Sequence, residues 1–239
     1  MEAPSERSLS SSTPTPTLQA CRECGAGAPL DAHFCPQCTK ILPLPRQADY
    51  FSFFGLPRKL TIAAADLEQR FRTLSRQFHP DFFYNGTTFE KRASLERSSY
   101  LNDAYRALRQ PGGRIEYLLK LEGAAPKNEH EASRQVPPAL LEEVFALNEE
   151  LDEIREQRES GVPAAQLTGR LERARQPIEA KRVEHEAQLQ ELAARWDALL
   201  DRGASEAERR ALLEALRDRF LERNYITNLL AGIERELNS

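Results

Sequence analysis

The sequence predicts an all-α protein: a helical hairpin, then an antiparallel three-helix bundle, preceded by a small metal-knuckle segment. Three observations predict it. Apolar residues recur at helical spacing over long stretches, as in Leu67, Phe71, Leu74 and Phe78. Proline and glycine fall mostly between those stretches rather than within short alternating runs. All four cysteines lie in one short segment near the start. Charged residues make up 29% of the chain and aromatics 8%, a composition suited to solvated helices.

Residues 1–20 are rich in Ser, Thr and Pro and read as a disordered leader. They lack the apolar core of a secretory signal and the acid-poor character of a mitochondrial presequence, so the sequence suggests a cytoplasmic protein. No continuous apolar run is long enough to span a bilayer, which excludes a helical membrane protein. Charge is uneven. Residues 49–123 carry a net +3 and residues 124–239 a net −7, within an overall −4. No broad basic footprint points to nucleic acid. The acidic second half is either a solvated surface or a docking face for a partner with basic patches.

The segment 21–41 holds Cys21-x-x-Cys24 and Cys35-x-x-Cys38, ten residues apart. Each pair forms a tight knuckle, and two knuckles place four thiolates around a tetrahedral ion. Gly25 and Gly27 supply turn freedom after the first pair. Zinc is the expected ion, structural in role, with iron the lesser alternative. Disulfides are disfavoured in a reducing compartment. His33 is the one further ligand candidate, read as a surface residue beside a complete set. Pro43 and Pro45 make 42–48 a stiff linker, which leaves the knuckle mobile relative to the helical hairpin.

Asp49 to Pro57 predicts a short aromatic helix ending at Gly55. The next helix, from about Ala63 to Phe78, has Gln69, Arg72 and Arg76 opposite its apolar face. Pro80 disfavours helical geometry at His79, so this helix stops there and Asp81 lies just past its end. Asn85-Gly86 marks a turn. A longer helix from about Thr88 to Arg109 points Phe89, Ala93, Tyr100, Ala104 and Leu108 inward. Gly112 and Gly113 are expected to break the chain before a helix from Arg114 to Leu121. Tyr117, Leu118 and Leu121 are expected at the seam to the next domain. Three long helices then complete the chain: Pro138 to about Glu159, about Pro163 to Arg202 with Pro177 expected to kink or restart it, and Ser205 to about Leu237.

The order helix, His79-Pro80-Asp81, helix, Asn102-x-Ala104-Tyr105-x-x-Leu108-x-x-Pro111 resembles a J-domain, over 49–123. That resemblance implies a chaperone-binding site at His79, Pro80 and Asp81. Arg72 and Arg76 add attraction to an acidic face of a 70-kDa heat-shock chaperone. The whole layout, with the segment Asn148 to Ile154, is similar to the HscB family of iron–sulfur cluster co-chaperones. The resemblance implies a non-enzymatic co-chaperone that stimulates ATP hydrolysis by a chaperone of the DnaK or HscA type. It also implies a client-binding bundle over 137–239 that holds the iron–sulfur scaffold protein. The family's client site carries over to Leu141, Phe145, Glu149 and Glu153, and to Phe220 on the last helix. Glu142 and Ala146 depart from the family's pattern. If the source is eukaryotic, the mitochondrial matrix replaces the cytoplasm. No membrane or nucleic-acid partner is implied.

Helical geometry places Leu140, Val144, Leu147, Leu151 and Ile154 on one core-facing stripe. Leu141 and Phe145 fall off it, with Glu149, Asp152 and Glu156 near by, an apolar patch edged by carboxylates. A J-domain protein for another client, its last helices a dimerisation or general interaction arm, is the alternative. A metal hydrolase at the cysteines is disfavoured, since four thiolates leave no open position, and His33, His79, His130 and His185 are scattered.

Overall fold

The computed structural model describes residues 18–126 and 138–238, with side chains from 141 onward in the second stretch. Within these residues it is helical apart from one small sheet. Strands β1 (Leu18–Ala20) and β2 (Gly27–Pro29) pair antiparallel, with Leu18 opposite Pro29. The ordered knuckle therefore begins by Leu18 rather than at Cys21; the rest of the expected leader, 1–17, lies outside the described residues.

Helix α1 (Tyr50–Phe53) starts where the Asp49 carboxylate accepts the Ser52 N–H at 2.9 Å. Helix α2 (Ala64–Gln77) ends at Phe78, and a short 3-10 turn (Pro80–Phe83) comes next. Helix α3 (Thr88–Leu108) opens with a reciprocal cap between Thr87 and Glu90. Helices α2 and α3 form the hairpin. Between them lie Leu67, Phe78, Ala93, Leu101, Ala104 and Leu108, all nearly inaccessible. Phe51 and Phe53 of α1 close the core; each such side chain contributes roughly 1.5–3 kcal/mol on burial.

Helix α4 (Pro111–Leu121) begins at Pro111, so Gly112 and Gly113 sit in its first turn and do not break the chain. The reason is proximity. A Cβ on Gly113 would lie 2.5 Å from the Ala107 carbonyl oxygen, so α4 can fold back on α3 only with glycine there. The expected seam residue Tyr117 turns inward instead: it stacks on Tyr50 at 4.2 Å and its hydroxyl accepts the Tyr50 N–H.

Helices α5 (Pro138–Glu159), α6 (Ala164–Asp201) and α7 (Glu206–Leu237) form the bundle. Helix α6 does not restart at Pro177, which is exposed, so only the carbonyl one turn earlier loses a donor. Ser205 and Glu208 cap α7 reciprocally. Val144, Leu147, Leu151 and Ile154 of α5 face the core as their spacing requires; the side chain of Leu140 lies outside the described residues.

Hairpin and bundle share one core, in which Leu189, Trp196, Leu216 and Phe220 meet the side chains of α1 to α4. The seam is specific. Asp197 accepts the N–H groups of Leu60 (2.7 Å) and Thr61 (2.9 Å), and the Trp196 indole donates to the Arg58 carbonyl at 2.9 Å. The hairpin is thereby held in one orientation on α6.

Candidate functional site

The His79-Pro80-Asp81 turn is presented at one end of the hairpin, between the end of α2 and the start of α3. Pro80 opens the 3-10 turn, where a missing N–H costs nothing. The His79 ring nitrogen Nδ1 accepts the Asp81 N–H at 3.3 Å and caps the turn. The Asp81 carboxylate is 88% exposed, and among the described residues no lysine or arginine pairs with it. Arg72 and Arg76 are exposed on α2, Arg72 paired with Glu68. Phe82 and Tyr84 are both about three-quarters exposed beside the turn. The anchor beneath is Phe78, fully buried, whose carbonyl accepts the hydroxyls of Ser94 (2.6 Å) and Ser98 (3.0 Å) on α3.

The four cysteines converge. Their sulfurs lie within 4.8 Å of one another, with Cys21–Cys38 and Cys24–Cys35 each at 3.6 Å. Four thiolates about 2.3 Å from a tetrahedral ion stand about 3.8 Å apart, so the donor set fits a zinc-sized ion. All four are free thiols. The two halves repeat one backbone design. The Cys21 carbonyl accepts the Gly25 N–H, and the Cys35 carbonyl accepts the Thr39 N–H, both at 2.9 Å. Gly25 and Thr39 both adopt left-handed geometry, at φ 73° and 58°. The N–H groups of Cys38 and Gln37 approach the Cys35 sulfur and hold its thiol down, at about 6.

The knuckle is docked rather than mobile, and His33 is not a surface residue. Its Nε2 donates to the Phe53 carbonyl at 3.0 Å, its Nδ1 accepts from Arg97 at 2.7 Å, and its ring meets the edges of Phe53 and Phe78. Burial and the Arg97 charge push its pKa down to about 4, which keeps the ring in the neutral form that this pairing needs. Arg97 is 1% exposed on α3, and burial lowers it to about 10. It donates to the carbonyls of Leu42 (2.9 Å) and Pro43 (3.0 Å) and lies over the faces of Phe53 and Phe78. The proline-containing linker is thus pinned at its start.

On α5 the expected client residues divide. Phe145 is 68% exposed, with Glu142, Ala146, Glu149 and Glu153 exposed around it. Glu153 also binds Arg170 at 3.1 Å. Leu141 does not join this patch. It is half-buried against the Ile226–Leu230 cluster of α7, on which Ile178 of α6 also packs, because a helix lying on two others needs an apolar stripe wider than one line of residues. Phe220 does not join it either: it is 7% exposed and packed in the shared core of hairpin and bundle.

No protein-family model matches the chain. Solved structures do. The human co-chaperone protein HscB matches with a TM-score of 0.65 at 24% identity, over 91% of this chain and 98% of that one. The chaperone HscB from Vibrio cholerae matches with a TM-score of 0.57 at 26% identity, over 80% of this chain and 98% of that one. The chain has the fold of the HscB co-chaperones, with a four-cysteine cluster at its N-terminal end.

Proposed function

We propose that this chain is a non-enzymatic co-chaperone. It stimulates ATP hydrolysis by a 70-kDa heat-shock chaperone of the DnaK or HscA type and brings to it the scaffold protein on which iron–sulfur clusters are assembled. The observation that carries the reading is the state of Asp81. A carboxylate 88% exposed, carried on a turn whose backbone is capped by His79 and paired with no lysine or arginine among the described residues, suits a charge-assisted bond to a partner's arginine. Arg72 and Arg76 on the same helix end favour an acidic partner surface and make association salt-sensitive. The likeness to HscB structures supports a chaperone-related role.

The client site is the acidic face of α5 centred on Phe145, with Glu149 and Glu153. The fixed seam at Asp197 would hold both sites on one rigid link, raising the local concentration of client at the chaperone. Zinc suits the four-thiolate set best and would be structural, since no coordination position is left open. The protein works in the cytoplasm, or in the mitochondrial matrix if its source is eukaryotic. Among the described residues no helix is long and apolar enough to cross a membrane.

The test is single-turnover ATP hydrolysis by the chaperone with wild type, His79→Gln and Asp81→Asn. Both variants should lose most of the stimulation without losing thermal stability, because both side chains are exposed. Full stimulation by a folded Asp81→Asn protein would remove the assignment.

A further inference from the structure

The stretch 33–42 is a small hairpin with two ends. Its tip, Cys35 to Lys40, carries two of the four thiols and closes through the Cys35 N–H to Lys40 carbonyl bond at 2.8 Å. Its base is held by the Leu42 N–H to His33 carbonyl bond at 3.0 Å and by a bridge between Phe34 and Ile41. That base is built into the core of the α2–α3 hairpin. Ile41 is 2% exposed there, and Phe34 stacks on Phe78 at 5.9 Å. Residue 78 immediately precedes His79.

The knuckle reaches the other side of the turn as well. Lys40 pairs with Glu90 at 2.9 Å, and Glu90 is the carboxylate that caps the start of α3. Arg22 lies over the Phe89 ring at 5.1 Å. The last residue before the turn and the first helical turn after it are therefore both braced by the cysteine segment. Arg97 supplies the third brace. It is a buried cation with no carboxylate partner among the described residues, and it ties the hairpin base to Phe53 and Phe78 through His33. Burying a guanidinium without a carboxylate is costly. Its charge is balanced by the faces of Phe53 and Phe78 and by the Leu42 and Pro43 carbonyls, which reach it only while the linker and knuckle are docked.

We infer that His33 and Arg97 are positioning residues for the His79-Pro80-Asp81 turn, and that the metal-bound knuckle is part of the chaperone-activating site. The inference rests on the proposed chaperone-activating role of that turn. A segment of about 20 residues with so little apolar content holds its fold through its ion, so metal binding and folding are coupled. Loss of the ion releases the tip, then the base, and so the packing on Phe78 and the Glu90 cap. Asp81 then samples more orientations, and the chaperone must select the competent one.

The experiment follows amide hydrogen exchange and chaperone stimulation on the full chain, zinc-loaded, stripped by a chelator under reducing conditions, and reloaded with zinc alone. Stripping should raise exchange at least tenfold over 78–91 while α6 and α7 keep their protection. It should also raise the concentration for half-maximal stimulation three- to tenfold, and zinc should restore both. His33→Ala keeps all four thiols, so it should bind one zinc and still show faster exchange over 78–91 and a higher half-maximal concentration. That variant also decides the matter if stripping unfolds the whole chain. Unchanged exchange over 78–91 in His33→Ala, with an unchanged half-maximal concentration, would overturn the inference. If loaded wild type fails to stimulate at all, it is the assignment of the turn that fails, while the exchange result still reports on the brace.

Discussion

Replacing Asp197 by alanine removes the acceptor for two backbone N–H groups of the hairpin, Leu60 at 2.7 Å and Thr61 at 2.9 Å. A hydrogen bond to a charged group contributes about 1.5–3 kcal/mol, and a buried donor left unpaired keeps the full desolvation cost. The Leu60 bond is buried and carries that full cost; the Thr61 N–H is only part-buried and regains water, so its loss counts about half. Arg114, 8% exposed, also loses the field of the Asp197 carboxylate, which opposes the effect of its burial. Relief of a buried carboxylate offsets part of this. The net expectation is a loss of about 3 kcal/mol, a fall in Tm of roughly 6–12 °C for a chain of this size. Trp196, the one tryptophan, is 1% exposed at the same seam and donates to the Arg58 carbonyl. Its emission reads the seam directly. Urea unfolding followed by tryptophan fluorescence and by circular dichroism should show the emission moving to longer wavelength before helix content falls. A loss under about 0.5 kcal/mol with unchanged emission would mean that the seam is not held by Asp197.

Thr39→Gly should stabilise the knuckle by about 1 kcal/mol and Gly25→Ala should weaken it by about as much, since both positions are left-handed; zinc competition with a chromogenic chelator reads the difference. Phe145→Ala should weaken scaffold binding by about 2 kcal/mol in calorimetric titration with Tm unchanged, whereas Leu141→Ala should lower Tm, because Leu141 packs on α7. The Lys40 ammonium, with the Thr87 N–H, lowers the Glu90 pKa in the folded chain. That contribution is present above the unfolded carboxylate range and lost as pH falls through the folded value. Wild type should therefore lose stability more steeply than Glu90→Gln between about pH 5 and 3, and equal slopes would contradict the cap.

Features carried by local pattern are legible in the sequence. The stops at His79 and Gly55, the cap at Ser205, the stripe of α5 and the paired cysteines each follow from a few neighbouring residues. The features that are not legible depend on residues far apart. The bond from Asp197 to Leu60 spans most of the chain, and nothing near either residue signals it. Gly112 and Gly113 read as breakers because the close approach of Gly113 to Ala107 looks the same in sequence as freedom. Drawing the α5 stripe as a line puts Leu141 on the surface, whereas two neighbouring helices make the stripe a band. Phe220, assigned by resemblance to the client site, lies in the shared core. Arg97 does carry a usable signal. It occupies the position four after Ala93 and three before Tyr100 on the inward face of α3, and an arginine in an apolar stripe asks for a partner. Its partners, His33 and the linker carbonyls, make the knuckle docked where the prolines alone suggest a mobile one.

The proposed bipartite function is tested most directly by scaffold transfer. Capture of the iron–sulfur scaffold protein by a 70-kDa chaperone is followed during ATP turnover, with wild type, Asp81→Asn or Phe145→Ala at equal concentration. Wild type should accelerate capture. Asp81→Asn should bind the scaffold as wild type does yet fail to load it. Phe145→Ala should stimulate the chaperone yet deliver little. Equal capture with all three proteins, at concentrations below saturation, would contradict a co-chaperone that joins one client to one chaperone through these two faces.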